Sequence, residues 1–398
     1  MRSAGQSRPT VLHYCQHSVG LGHLVRSLSI AGALAARFRV VILSGGLVPD
    51  GITIPEGVEL IALPAVGAGA DGELVSLTPG LSLEEAWARR RSILLSQMQR
   101  LRPCAIIVEL FPLGRRKFAG ELVPLLEAAR RDFPAASVIC SVRDILVAGG
   151  PAQQHRDDEA AERLNRYFDA VVVHGDPRLV RLEDTFRPSV EVVPPVHYSG
   201  YVVPAGEIPA SPRPNPPVVV ASAGGGMVGG PLLRTVAEAH RLFFEPRGIA
   251  TRIITGPFLP PADRAAIQAE ADRCQGLTVE RFVPDLCATM ARASVSVSQC
   301  GYNTALDLLR ARVPALVVPD DRGRETEQME RARRLAALGA LEVLPSGELS
   351  TKRLAEAVFG LLSAAPPVTT LDLDGAAKTA AIIEALAGRP ARNEAKAS

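Results

Sequence analysis

The chain has 398 residues, more than a single hydrophobic core usually organises, so two domains are expected. Its 44 Lys and Arg balance 42 Asp and Glu to a formal net charge of +2, and no basic stripe interleaves with aromatics, which argues against nucleic acid as a partner. Cys15, Cys104, Cys140, Cys274, Cys287 and Cys300 form no C-x-x-C pair, and no apolar run reaches the ~18 residues of a membrane span, which argues against a disulfide framework, a zinc ribbon and a spanning helix.

The first ten residues are polar and carry no apolar leader, so a protein of the reducing cytoplasm is expected. Residues 11–15 read as a strand, 16–22 as a loop with two glycines, and Leu24, Leu28, Ala31, Leu34 and Phe38 recur at helical spacing. A second strand at 39–43 ends in Gly45-Gly46. The alternation continues with a helix over 83–101, a strand at 105–108, a helix over 120–131, and strands at 137–141, 170–173 and 190–193. Trp87 with Arg89-Arg90-Arg91 reads either as a lipid-facing surface, giving a peripheral membrane contact, or as a solvated helix face.

Residues 206–217 are too proline-rich for a helix or an interior strand and read as a linker. The pattern then restarts with a strand at 218–221, a glycine loop at 223–230, and a helix with Leu232, Val236, Ala239 and Phe243 on one face. Strands follow at 251–255, 278–282, 294–298 and 315–318, and 375–386 reads as a helix before a frayed tail. The organisation is thus an N-terminal domain 1–205, the linker, a C-terminal domain 218–366, and a helix and tail over 367–398. Each half opens with strand, glycine loop and helix. That is an α/β chain of two Rossmann-like, doubly wound domains facing across a cleft.

Four segments can carry chemistry. In His17-Ser18-Val19-Gly20-Leu21-Gly22-His23, the glycines permit close approach of a ligand and the helix behind them favours an anion. It is no dinucleotide fingerprint, because Val25 stands at the third glycine position and no acidic residue ends the second strand. His13, Cys15 and His17 alternate on one strand but converge poorly on an ion, so no metal is expected. Gly224-Gly225-Gly226 exposes backbone N–H groups able to cradle a diphosphate without a cation. Ser298-Gln299-Cys300-Gly301-Tyr302-Asn303-Thr304 leads into a helix, with Asn303 or Thr304 as its cap and Asp307 in its first turn. Glu327 and Gln328 open a further helix and suit sugar hydroxyls.

Taken in order, these segments resemble the GT-B glycosyltransferases of the peptidoglycan N-acetylglucosaminyltransferase type, family 28. Gly20, Gly22 and His23 followed by Arg26 are similar to the G-x-G-H-x-x-R opening found there and in a related nucleotide-sugar hydrolase. The resemblance implies His23 as the catalytic base and Gly20, Gly22 and Arg26 as an acceptor or phosphate loop. It further implies Ser298, Gly301, Asn303, Thr304 and Asp307 on the nucleotide, Phe282-Val283-Pro284 as a loop whose backbone at Val283 reads the base, and Glu327 and Gln328 on the donor sugar. Two departures stand out: Asp307 where the family has Glu, and Arg331 where it has Asn, the latter read as a sign of a different or charged donor. The expected activity is inverting, metal-independent transfer from a nucleotide diphosphate-sugar, of the uridine class, to a hydroxyl acceptor. The alternatives are a nucleotide-sugar hydrolase using water, and a non-catalytic nucleotide-sugar-binding protein.

Overall fold

The computed structural model describes residues 8–17, 22–48, 52–69, 73–146, 152–206, 208, 212–320 and 327–388. The chain divides into two compact units: Met1–Leu146, Gly150–Ala205 and Leu371–Ser398 form the first, and Val147–Gly149 with Gly206–Thr370 the second.

In the first unit β1 (Thr10–Cys15), α1 (Gly22–Leu34), β2 (Arg39–Ser44) and β3 (Val58–Ala62) lead to a small hairpin of β4 (Val66–Ala68) and β5 (Leu74–Ser76). There follow α2 (Leu83–Leu101), β6 (Ala105–Glu109), α3 (Ala119–Asp132), β7 (Ser137–Arg143), α4 (Gln153–Tyr167), β8 (Ala170–His174), α5 (Leu182–Thr185) and β9 (Val196–Tyr198). The strands make one parallel sheet in the order β3-β2-β1-β6-β7-β8-β9. Its central strands are continuous Val/Ile runs, as a parallel sheet covered on both faces requires. Leu12, Tyr14, Val108 and Val138 face α2 and α3, while Val11, Cys15, Ile107 and Ile139 face α1. Ser82 and Glu85 start α2 with a reciprocal capping box.

The second unit holds β10 (Val218–Ser222), α6 (Gly230–Ala239), β11 (Ala250–Ile254), α7 (Pro261–Ala271), β12 (Leu277–Glu280), α8 (Leu286–Ala291), β13 (Val295–Ser298), α9 (Tyr302–Ala311), β14 (Ala315–Val317), α10 (Glu327–Ala337), β15 (Glu342–Val343) and α11 (Thr351–Leu362). Its sheet is also parallel, in the order β12-β11-β10-β13-β14-β15. Val219, Ala221, Val295 and Val297 pack on α6 and α11. The last helix, α12 (Gly375–Ala387), lies against α1 in the first unit, with Ile383 and Leu386 in that unit's core. The sequence had set 367–398 apart as a helix and tail of its own.

Two sequence expectations change. Residues 190–193 form no strand: Val193 is exposed, Pro194 and Pro195 follow it, and the edge strand is β9 just beyond. Trp87 and Arg90 do not belong to a surface patch. Trp87 stacks edge-on against Phe118 at the core boundary, and Arg90 is fully buried, leaving only Arg89 and Arg91 of the triplet exposed.

Candidate functional site

The first unit gathers its chemistry where β1 and β6, neighbours in the sheet, reach their carboxyl ends. His23 is the second residue of α1, and Glu109 is the last of β6. Glu109 shares the parity of Ala105 and Ile107, so its side chain rises on the α1 face. There its Oε1 lies 2.7 Å from His23 Nδ1. Arg26, one turn along α1 from His23, also pairs with Glu109 Oε1, and its Nη2 sits 3.1 Å from His23 Nδ1. Cys15 Sγ approaches the other carboxylate oxygen at 3.6 Å. Glu109 and Arg26 are buried, whereas the His23 side chain is 16% exposed.

The charges settle which atoms carry protons. Burial alone would raise the Glu109 carboxyl, but His23, Arg26 and Arg115 hold it well below the usual carboxylate range. An ionised carboxylate only accepts, so His23 Nδ1–H donates to it and Nε2 is left as the basic nitrogen. Burial lowers the His23 pKa; Glu109 pulls it up, and Arg26 and Arg115 push it down again, with a net decrease. His23 is therefore neutral at pH 7, oriented by a carboxylate and open at its edge, the arrangement of a general base.

Behind this pair lies a second buried network. Arg90 bonds both oxygens of Glu121 at 2.7 and 2.6 Å, Gln16 Oε1 at 2.6 Å, and the carbonyls of Gly45 and Pro64 at 2.9 Å. Tyr14 donates to Glu121 at 2.5 Å. The network fixes the residues leaving β1 and β2, and a Cβ at Gly45 would strike Gln16 and Arg90.

In the second unit the loops after β10 and β11 interlock. Gly224 and Gly226 have φ of +57° and +90°, and a Cβ on Gly226 would come within 2.3 Å of the Thr255 carbonyl. Gly225, by contrast, meets nothing nearer than Phe258 at 3.6 Å, and the space around Gly301 is open. Gly301 is the N-cap of α9 and no side chain caps the helix, so its first turn presents backbone N–H groups to that space. This corrects the sequence reading: Asn303 and Thr304 lie inside the helix, and Asp307 falls in its second turn. Asp307 is half-buried, and burial pushes its carboxyl up to about 7 against the pull of Arg310. Ser222 and Ser298, opposite each other in β10 and β13, are buried with hydroxyls that find no protein partner. Val283 is buried beside an exposed Phe282.

Glu327 and Gln328 begin α10, but neither is simply presented to a ligand. Gln328 Oε1 accepts from the backbone N–H groups of Cys300 and Asp320 at 3.1 and 3.2 Å, which turns its Nε2 outward as a donor. Arg331 bonds Glu327 at 2.7 Å and the Cys300 carbonyl at 3.0 Å and is only 2% exposed. It neutralises Glu327 and ties α10 to the loop before α9, so its place in the sequence signals an internal ion pair and not a charged donor.

His23 and Arg26 thus come together in the first unit; Gly20 lies outside the described residues, and Gly22 opens α1 beside His23. Arg26 pairs with the Glu109 carboxylate. The sequence reading missed Glu109, whose signal was a lone acidic residue closing an apolar strand beside β1. Among the described residues no group of three or more His, Cys, Asp or Glu side chains is placed to hold a metal ion, and no helix is long and apolar enough to cross a membrane.

Comparison with known proteins places the second unit. Residues 225–370 match the glycosyltransferase family 28 C-terminal domain. The UDP-N-acetylglucosamine–N-acetylmuramyl-(pentapeptide) pyrophosphoryl-undecaprenol N-acetylglucosamine transferase of Aeromonas hydrophila is 31% identical over 173 residues, 39% of this chain and 47% of the relative. That of Brucella anthropi is 33% identical over 134 residues, 33% of this chain and 35% of the relative. The chain thus matches less than half the length of these curated relatives. Among solved structures, the calicheamicin glycosyltransferase superposes with a TM-score of 0.59 at 19% identity, covering 98% of both chains. Acinetobacter baumannii MurG gives 0.52 at 16% identity, covering 97% of this chain and 98% of its own. The chain therefore has the GT-B fold, and its residues 225–370 are similar to the C-terminal domain of glycosyltransferase family 28.

Proposed function

We propose that the chain is a glycosyltransferase that moves a sugar from a nucleotide diphosphate-sugar of the uridine class to a hydroxyl acceptor, with His23 as general base. The observation that carries the reading is the His23 imidazole held at 2.7 Å by the buried Glu109 carboxylate. His23 Nε2 takes the acceptor proton as the acceptor oxygen bonds to the anomeric carbon. The carbon–oxygen bond to the diphosphate breaks in the same displacement, which inverts the anomeric centre. The amides of the Gly224–Gly226 loop and the first turn of α9 take up the charge of the leaving diphosphate, so no metal ion is required. Asp307 meets the ribose and Val283 the base, while Glu327, paired with Arg331, and the Gln328 amide orient the sugar. The family 28 match and the UDP-sugar transferase names of the curated relatives support the donor class.

The test pairs a panel of uridine, guanosine and thymidine diphosphate-sugars with His23→Ala, measuring donor affinity and single-turnover transfer separately, with chelator present. Loss of turnover by about 10²–10⁴-fold at nearly unchanged donor affinity is expected. Equal loss of both would refute the base assignment. Sugar release without acceptor would make the protein a hydrolase, and saturable binding with no turnover under any acceptor would make it a sensor.

A further inference from the structure

Arg26 has no evident place in the reaction as proposed, yet it is 3% exposed and spends its charge on the same oxygen of Glu109 that orients His23. A buried carboxylate 2.7 Å from an imidazole would, left alone, draw a proton onto the ring and settle as an imidazolium–carboxylate pair. Such a ring is already protonated and cannot act as a base. We propose that Arg26 is a positioning residue: by giving Glu109 a permanent cationic partner, it keeps the His23 imidazole uncharged while leaving the carboxylate free to accept from Nδ1–H. This rests on the reading of His23 as the base and adds to it how the base is kept ready.

The geometry is specific to this triad. His23 and Arg26 stand three residues apart on one face of α1, and Glu109 arrives from β6 between them. Arg is the suitable cation because its guanidinium stays charged when buried, where a lysine ammonium shifts. The other groups that sense this site are Arg115, which follows β6, His17 and Cys15 at the end of β1, His13 deeper in that strand, and the His174 imidazole at the end of β8, held neutral by burial. His17 is itself neutral, bonded to Ser44 at 3.1 Å, and the Cys15 thiol is held protonated by burial. None of these supplies a second cation in bonding contact with Glu109, so the compensation falls on Arg26.

The experiment follows the His23 ring by NMR across pH in the full chain, together with the pH profile of kcat/KM, in wild type, Arg26→Gln, Arg26→Lys and Arg26→Gln/Glu109→Gln. The wild-type ring is expected to be neutral at pH 7 as the Nδ1–H tautomer. In Arg26→Gln its titration and the acid limb of the profile should both move up by about one pH unit or more, a tenfold or greater loss at acidic pH. Arg26→Lys should stay nearer wild type, and the double variant should lose the upward shift, since without the carboxylate nothing draws the proton. An unmoved titration, with activity falling evenly across pH, would overturn the proposal and leave Arg26 a structural ion pair. So would a protonated His23 in the wild type at pH 7, a result that needs no variant to fold. An unmoved titration leaves the base assignment standing, whereas that assignment falls with a wild-type ring protonated at pH 7, or with a His23→Ala variant that retains turnover or loses donor affinity as much as turnover.

Discussion

Arg90→Met is the substitution whose cost the structure specifies most closely. The guanidinium is fully buried and satisfies a carboxylate, an amide oxygen and two backbone carbonyls at once. Removing it leaves Glu121, itself 1% exposed, as a buried charge whose remaining donor is the Tyr14 hydroxyl. Breaking one partner of a buried ion pair costs about 3–5 kcal/mol. For a unit of this size that lowers the midpoint of thermal unfolding by roughly 6–20 °C. The single tryptophan, Trp87, lies 5.4 Å from the Arg90 guanidinium, so its fluorescence reports on the first unit alone. Urea titrations of Arg90→Met, Glu121→Leu and the double variant complete a cycle. Each single variant already disables the network, so the double should be less destabilised than the sum by about 3 kcal/mol. Additive losses, or a cost below about 1 kcal/mol for Arg90→Met, the range of a surface arginine, would refute the reading.

Glu109→Gln should reduce kcat by about 10²–10⁴-fold without weakening donor binding, because an amide can donate to Nδ1 and turn the ring to the wrong tautomer; stopped-flow turnover with nucleotide titration checks both. Gly226→Ala should lower the melting temperature, since its φ of +90° and the Thr255 carbonyl exclude a Cβ, while Gly225→Ala should leave stability intact and weaken nucleotide affinity, as judged by calorimetry. The buried His13 imidazole is pushed down to about 4, so the unfolded chain binds its proton more readily between pH 4 and 6.5. Stability is then complete above pH 6.5 and falls on acidification towards pH 4, by up to roughly 3 kcal/mol from this residue, and His13→Gln should flatten that slope in urea titrations. Arg331→Ala strands the buried Glu327 carboxylate and frees the Cys300 carbonyl, so nucleotide-sugar affinity should fall together with the melting temperature of the second unit.

The sheet strands and glycine loops were legible because each is a local pattern: a Val/Ile run, then glycines, then apolar residues at helical spacing. The polar partners were not, because their meaning lies across the fold. Glu109 acquires a role only when β6 pairs with β1, bringing it to residues more than 80 positions away. Arg26 beside a helix start read as part of an acceptor or phosphate loop, since sequence shows the positive end of α1 but not the Glu109 carboxylate that pairs with it. Arg90 sat in a run of three arginines, where a hydropathy pattern counts it as solvent-facing. The α4 helix, QQHRDDEAAERLNRY, has so few apolar positions that its periodicity is carried by Ala160, Ala161, Leu164 and Tyr167 alone. Arg331 shows the converse: a departure from a motif looked like altered specificity and is instead a local compensation for its neighbour four residues back.

The return of α12 to the first unit makes that unit discontinuous in sequence while 206–370 runs unbroken. A fragment ending at Ala205 would lack Ile383 and Leu386 and bare the apolar side of α1 that they cover. The intervening segment behaves as a cassette. Exchanging it for the matching segment of another chain of this fold, with joints at 205/206 and 370/371, would replace the whole family-28-like segment in one step and leave the His23–Glu109–Arg26 cluster and its supporting helix untouched.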